Sequence, residues 1–517
     1  MTQTQRPPTL IPSLIAPTIQ TGISSSQKLS ERIWRRFATL GGRFRTLSLT
    51  IIVVTCLTAL SVAISTNQAA SNLNTIGNQS IPGVSAAQSI IPYLEDIDAH
   101  AADYLTSTNS TLLPCVDSLS GQQMGQLSAH NCADKLIDLD QQKLSHYLFL
   151  AGQNATYPGS STALEQTQAG LQSYIGYIIL MRHDYAQATN PGNAADPFMQ
   201  QAYKDATEAQ TIMYRQFAGS SSEANLPRCT TVNQQFSSQS WPNAGIETNM
   251  LCLSTLGKAN LDNASTNMKR FFGISLGIVF GLSIYSCIFL LWATWNMVTV
   301  TRKLFNPGLI LALLVALFST TIVLADFDGI YGPTGSFAMI ANDHNYVYAT
   351  SALEQEGARV QADEARWLAA LNAHDLTSAN LWQNDQKDTS AQFTSKLHDD
   401  LINPLQTSAD APLLTQAQQD WTMYSTQISQ VTQKASTANN PTAIGDGEAL
   451  YAGTTTLTFQ NLMNDLQRFS KVKTSDYQSI LTATNQILIG LSIWLVIAFP
   501  VLGVVGAWGI SRRLKDF

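Results

Sequence analysis

The sequence predicts an all-α integral membrane protein with four transmembrane helices and two extracytoplasmic, antiparallel four-helix bundles related by internal duplication. Three observations support this fold class. Four apolar runs alternate with polar stretches, apolar residues recur at helical spacing in the two long polar stretches, and similar short segments occur in the same order in both. The chain is therefore expected to cross a bilayer four times and to fold mainly outside it.

The apolar runs divide the 517 residues into nine segments. Each run approaches the roughly 20 apolar residues that a helix needs to cross a bilayer. The four predicted spans are 47–64, 271–295, 309–325 and 486–510. A disordered and then basic N-terminus at 1–46 precedes them, and a tail at 511–517 follows them. Between the spans lie a first polar segment at 65–270, a short basic loop at 296–308 and a second polar segment at 326–485. The charged region before the first run is too long for a signal peptide, so we expect an uncleaved anchor. Gly490, Gly503 and Gly506 should give the last span small faces for helix contact.

Basic residues beside the spans predict the orientation. They lie before the first span, between the second and third, and after the fourth: Arg35, Arg36, Arg302, Lys303, Arg512 and Arg513. Lys269 and Arg270 lie on the opposite side and are outnumbered. Because short loops rich in lysine and arginine stay in the cytoplasm, we expect a cell-membrane protein with cytoplasmic termini and two extracytoplasmic polar segments.

Four of the six cysteines lie in the first polar segment. An even number of cysteines outside the spans is typical of an oxidising compartment. We expect disulfides Cys115–Cys132 and Cys229–Cys252, since short loops close most easily. Other connectivities and four free thiols are the alternatives.

Apolar residues of the second polar segment recur at the spacing of a helical bundle. Leu353, Val360 and Trp367 are seven residues apart, and steps of three and four connect Trp421, Tyr424, Ile428 and Val431, and again Phe459, Leu462, Leu466 and Phe469. We expect four helices in this segment, in an up-down-up-down arrangement.

The first polar segment shows a similar plan. IDAHAADYL at 97–105 resembles VQADEARWL at 360–368, and YRQF at 214–217 resembles LQRF at 466–469. The shared order predicts an internal duplication. Two separate bundles are expected, and packing of both segments into one unit is the alternative.

Composition and motifs exclude several classes of function. The net charge is −7, so no nucleic-acid partner is expected. The sequence contains no phosphate-binding loop, zinc-protease motif or hydrolase nucleophile motif, and we predict no enzyme, no cofactor and no metal site. His100 and Asp103 can share a helix face, where a solvated or hydrogen-bonded pair is favoured over a metal site.

An external four-helix bundle between two spans resembles the sensor module of bacterial chemoreceptors and related histidine kinases. VTRKLFNP at 300–307 and ISRRLKDF at 510–517 are similar to the basic start of the HAMP linker in that family. No HAMP body, long cytoplasmic coiled coil or kinase domain follows either half. The resemblance implies a tandem sensor that relays a signal to a separate partner.

The family binds small anionic ligands through arginines on the outer helices of its bundles. The resemblance therefore implies a ligand site at Arg359 and Arg366, which lie seven residues apart on one helix. The alternative is an ion pair of Arg359 with Asp363 on a solvated helix face.

Two functions from different classes remain. The first is a membrane sensor with the lipid bilayer and a membrane or cytoplasmic protein as partners, and with homodimerisation left open. The second is a non-sensing structural or accessory subunit of a membrane complex. A transporter or channel is disfavoured because the spans carry almost no ionisable residues.

Overall fold

The structure, a computed structural model, describes residues 40–514 apart from gaps at 76, 78–80, 108–111, 118, 155–159, 192, 215–244, 302–305, 333 and 436–440. Several predictions concern residues outside this set. They are the disordered N-terminus, the flanking basic residues Arg35 and Arg36, the connector residues Arg302 and Lys303, and Cys229.

Helices make up most of the described residues and confirm the all-α class. They are α1 (Leu40–Thr75), α2 (Ile81–Thr106), α3 (Ala129–Asn154), α4 (Ser160–Gln187), α5 (Pro197–Tyr214), α6 (Ile246–Thr301), α7 (Pro307–Tyr331), α8 (Ser336–Asn372), α9 (Leu376–Lys396), α10 (Asn403–Leu405), α11 (Ala411–Ala435), α12 (Pro441–Leu450) and α13 (Thr456–Leu514). Two π-helical turns, Leu397–Ile402 and Tyr451–Thr455, follow α9 and α12.

A small antiparallel hairpin between α2 and α3 is not foreseen by the sequence analysis. It consists of β1 (Leu112–Val116) and β2 (Gln123–Ser128). Asp117 closes the turn, since its carboxylate accepts hydrogen bonds from the backbone N–H groups of Leu119 and Ser120, each at 3.1 Å. Gly121 has a φ of 68° in this turn, a conformation that disfavours side chains with a Cβ atom.

The chain folds into two compact units. Among the described residues, the apolar unit comprises those within Met1–Ser65, Ser275–Leu324 and Leu491–Phe517, and the polar unit comprises those within Thr66–Ile274 and Ala325–Gly490. Both long polar segments therefore belong to one unit, which favours the alternative in which their helices pack together. The internal duplication stays a prediction.

Three helical stretches among the described residues are long and apolar enough to cross a membrane. They are Arg45–Ser71, Pro307–Ile330 and the apolar part of Ala443–Arg512. The predicted span at 271–295 lies within α6, whose apolar stretch Phe280–Asn296 is shorter. Membrane localisation thus rests on three helices, while the fourth span and the orientation stay predictions.

The glycines of the last predicted span differ in their surroundings. A Cβ atom added at Gly503 would collide with Thr55 of α1, and one at Gly506 would lie 3.4 Å from Ile51. Gly490 has no such neighbour within 4 Å. The expected small face is therefore confirmed at two of the three positions.

A second close contact in the apolar unit joins the start of α7 to the end of α13. A Cβ atom added at Gly308 would lie 2.7 Å from the Cα atom of Gly509. Asn306 donates a hydrogen bond from Nδ2 to the carbonyl oxygen of Gly509 at 3.1 Å. Small residues permit this approach of two backbones.

The predicted apolar stripes line the core of the polar unit. Leu353 and Val360 are fully buried and Trp367 is 5% exposed. The stripes of α11 and α13 are buried as well, at Trp421, Tyr424, Ile428, Val431, Phe459, Leu462, Leu466 and Phe469. The same core contains Ile90 and Leu94 of the first segment. Helix α2 packs against α3 and α8, α4 against α5, and α8 against α9.

Candidate functional site

Helices α2 and α8 meet along the two segments that the sequence analysis compares. All of 360–368 and all of 97–105 except Asp103 are classed as buried. Both segments are rich in alanine, including Ala99 and Ala102 of α2 and Ala362 of α8, which share a hydrophobic cluster. Because alanine side chains are small, charged side chains of both helices are enclosed within the protein.

Arg366 lies at the centre of the first group of buried charges. Its guanidinium donates from Nη1 to Asp363 at 2.6 Å and from Nη2 to Glu95 at 2.7 Å, and its Nε pairs with Asp98. The exposed fraction of each of these four side chains is at most 1%. We call these four residues the Arg366 cluster. It joins α2 of the first polar segment to α8 of the second.

Two aromatic side chains complete the surroundings of Arg366. Its guanidinium carbon lies 4.5 Å from the ring centroid of Tyr214 and 5.0 Å from that of Trp382. The Tyr214 hydroxyl is also in contact with Glu95 and Arg366. Stacking on aromatic faces suits the flat, weakly hydrated guanidinium.

The Arg366 cluster contains more acids than bases, and burial alters their protonation. Burial raises the pKa of Glu95 to about 8, although Arg366 acts in the opposite direction. Burial also raises the pKa of Asp98 despite the same arginine, and raises that of Asp363 well above its ordinary value. Burial thus favours the protonated form of these acids, while Arg366 favours the charged form of Glu95 and Asp98.

Arg359 occupies a more open position on α8, with 27% of its side chain exposed. It donates from Nη1 to Glu247 of α6 at 3.0 Å and from Nη2 to Asp385 of α9 at 2.8 Å. Arg359 thus connects three helices. Glu247 lies 112 residues away in the sequence, and Asp385 lies 26 residues away on the next helix.

The structure brings the two predicted ligand residues into the polar unit, but each is already paired with carboxylates. An anionic ligand would have to displace those carboxylates. Anion binding at Arg359 and Arg366 stays a prediction. Asp363, which the alternative interpretation pairs with Arg359 on a solvated face, instead makes its ion pair with Arg366 in the interior.

Sequence reasoning missed a second buried group on α2. Asp96 and His100 lie near Asp140 of α3, and all three side chains are buried. Among the described residues, these three have donor atoms placed close enough to hold a metal ion. The predicted partner of His100, Asp103, lies on the outer side of the group with 23% of its side chain exposed.

The predicted disulfide Cys115–Cys132 is present and joins β1 to α3. Cys252 is disulfide-bonded as well, and its predicted partner Cys229 lies outside the described residues. Cys56 and Cys287, which belong to the apolar runs, are free thiols.

No protein-family model, curated protein or solved structure matches the chain. The resemblance to chemoreceptor sensor modules therefore stays a prediction from the sequence pattern.

Proposed function

We propose that the chain is a multi-pass membrane protein that senses a signal in an extracytoplasmic helical unit and relays it to a separate partner. The observation that supports this most directly is the Arg366 cluster. A buried ion pair stabilises a fold no better than apolar residues of similar volume. A protein that served only as an anchor would gain little from four charged side chains at a helix contact.

The cluster has the properties of an element with two arrangements. Its three acids share one arginine, and burial raises the pKa of Glu95 to about 8. A ligand or a change of protonation can therefore alter which acid pairs with Arg366, and α2 and α8 would shift to follow it. Small helix shifts of this kind are a common form of signalling movement.

Long helices offer a route for such a shift. Arg359 joins α8 to Glu247 near the start of α6, and α6 extends without a break over 56 residues. Gln467 of α13 donates a hydrogen bond to the Leu119 carbonyl oxygen of the hairpin turn at 2.5 Å, and α13 extends over 59 residues. The later parts of both helices belong to the apolar runs.

The proposal includes four spans with both polar segments outside the cytoplasm at the cell membrane. The Cys115–Cys132 disulfide supports an oxidising compartment for the polar unit. The lysines and arginines beside the spans support cytoplasmic termini. A partner would then be reached through the apolar helices or the short basic ends.

The test is photo-crosslinking in membranes of the native host. A photoreactive amino acid is placed at Ile493, Ile497 or Val504 of α13, whose side chains are 57%, 58% and 63% exposed. We expect one defined protein adduct, either a second copy or another membrane protein. Its yield should change at least about twofold with Asp98→Asn, which removes one carboxylate from Arg366.

The matched control is Asp134→Asn, which removes a carboxylate from the more exposed Arg182. This control should leave the yield unchanged. An adduct whose yield responds to neither substitution would contradict the relay and support the accessory subunit. An absence of any protein adduct at all three positions would contradict both functions.

A further inference from the structure

The second buried group of α2 has the composition of a metal site. Asp96 and His100 are one helical turn apart, and Asp140 approaches from α3. Their exposed fractions are 2%, 4% and 0%. Two carboxylates and one imidazole from two helices are thus enclosed together, on the side of α2 that also faces Asp117 of the hairpin turn.

The donor atoms of the three side chains lie close to one another. His100 Nε2 lies 3.4 Å from Asp96 Oδ1 and 3.7 Å from Asp140 Oδ2. Among the described residues, neither His100 Nε2 nor either carboxylate oxygen of Asp140 has a hydrogen-bond partner. Buried polar atoms without partners cost free energy, so this arrangement is incomplete without another species.

The separations suit a small cation. Zinc binds imidazole nitrogen and carboxylate oxygen at about 2.0–2.2 Å, and two such donors at the tetrahedral angle lie roughly 3.4 Å apart. The three donor atoms here all lie within 4.8 Å of one another. Two of the separations, 3.4 Å and 3.7 Å, already lie near this spacing.

The composition of the group also suits a cation. Asp96, Asp140 and the fully buried Asp117 face a single histidine. A divalent ion would pair with these carboxylates in the protein interior.

Neighbouring groups are placed to orient the ligands. The Nδ1 side of the His100 ring faces Asp103 Oδ2 at 3.9 Å, and a carboxylate on that side is typical of metal-binding histidines. The Cys115–Cys132 disulfide ties the strand before Asp117 to the helix that carries Asp140.

We propose that Asp96, His100 and Asp140 form a binding site for one divalent transition-metal ion of the zinc class. Imidazole nitrogen suits such ions, whereas calcium and magnesium prefer oxygen ligands. The site does not depend on the relay proposed above, since the ion would bind whether or not the polar unit signals.

The test measures zinc binding to the full chain purified in detergent and treated with a chelator. Equilibrium dialysis with elemental analysis should give one Zn²⁺ per unaltered chain, and Zn²⁺ should raise the melting temperature Tm. Asp140→Asn and His100→Gln should each weaken binding at least about a hundredfold. Calcium at the same concentration should not bind in a manner that depends on Asp140.

Asp138→Asn and His183→Gln serve as matched controls, since Asp138 is an exposed acid of α3 and His183 lies on the exposed face of α4. Both should bind zinc like the unaltered chain. Circular dichroism establishes that each variant is folded. X-ray absorption on the zinc-loaded, unaltered chain gives a second readout, with one imidazole and otherwise oxygen ligands expected.

Less than about 0.1 equivalent of bound zinc, or equal binding by Asp140→Asn, His100→Gln and the controls, would overturn the site. A zinc spectrum with sulfur or with two or more imidazoles would also overturn it, and this readout does not depend on the folding of any variant.

Discussion

Replacement of Arg366 by methionine tests the physical account of the Arg366 cluster. Methionine fills a similar volume but leaves Glu95, Asp98 and Asp363 without their only cation in the cluster. Removal of one partner from a buried ion pair costs about 3–5 kcal/mol. Arg182 pairs with Asp134 and Asp138, and its side chain is 24% exposed. Arg182→Met should therefore cost only about 0–1 kcal/mol of the free energy of unfolding.

The loss at Arg366→Met should also depend on pH. Arg366 lowers the pKa of Glu95 and of Asp98, so its removal lets both pKa values rise further. An acid whose pKa is higher in the folded state binds more protons when folded, and its stabilising effect is lost as pH rises. The difference in stability between the variant and the unaltered chain should therefore be larger at pH 8 than at pH 5.

The assay is thermal and urea unfolding in detergent, followed by circular dichroism at pH 5, 6.5 and 8. Arg182→Met is the matched control. Arg366→Lys should lose less stability than Arg366→Met but more than Arg182→Met, because an ammonium keeps the charge but not the forked geometry. The reasoning is refuted if Arg366→Met loses no more stability than Arg182→Met, or if its loss is the same at all three pH values.

Three further perturbations have defined outcomes. Cys132→Ser opens a disulfide between residues 17 apart and should cost roughly 3 kcal/mol of the free energy of unfolding, measured with urea. Gly308→Val places a side chain against the backbone of Gly509 and should lower the Tm of the detergent-solubilised protein. Glu354→Gln should flatten the decline of Tm between pH 5 and pH 8, because burial raises the pKa of Glu354 to about 8 and this acid loses its stabilising effect as pH rises through that range.

Each of these predictions has a control and a contrary outcome. A reducing agent should lower the Tm of the unaltered chain more than that of Cys132→Ser, which keeps only the disulfide of Cys252. An equal effect on both chains would count against the prediction for Cys132→Ser. Gly490→Val, at a position with open space around it, should leave Tm nearly unchanged. Glu165→Gln, at an exposed position of α4, should show the same dependence of Tm on pH as the unaltered chain. The same dependence in Glu354→Gln would contradict the prediction for Glu354.

The apolar stripes could be predicted from the sequence because they follow from local periodicity. Leu353, Val360 and Trp367 repeat every seven residues, and burial of such a stripe is the main way in which a helix gains stability. The Cys115–Cys132 disulfide could be predicted for a similar reason, since a short loop closes readily. Both predictions depend on residues that are near one another in the chain.

The buried charges could not be predicted in this way. Asp98 and Glu95 lie 268 and 271 residues from Arg366, and a charged residue on a helix is usually exposed. His100 was considered with its near neighbour Asp103, whereas Asp140 approaches from another helix. The alanines that flank His100 and Arg366 in the sequence could have indicated that these charged residues are buried. Small side chains on several faces of a helix indicate that other helices contact it on several sides.

The hairpin was missed for a different reason. LLPCV contains a proline, and QMGQLS contains a glycine and few β-branched residues, so neither stretch has the composition of a strand. The turn at Asp117 holds the two strands together in place of strong strand propensity, and the disulfide ties β1 to α3.

The long sequence separation within the Arg366 cluster sets the order of events during biosynthesis. Glu95 leaves the ribosome 271 residues before Arg366, which corresponds to roughly 15–50 s of synthesis at 5–20 residues per second. During this interval α2 can pack against α3, but Glu95 and Asp98 have no Arg366 to pair with and the side of α2 that contacts α8 has no partner helix. A ribosome stalled before Arg366 would therefore leave a product that cannot complete its core.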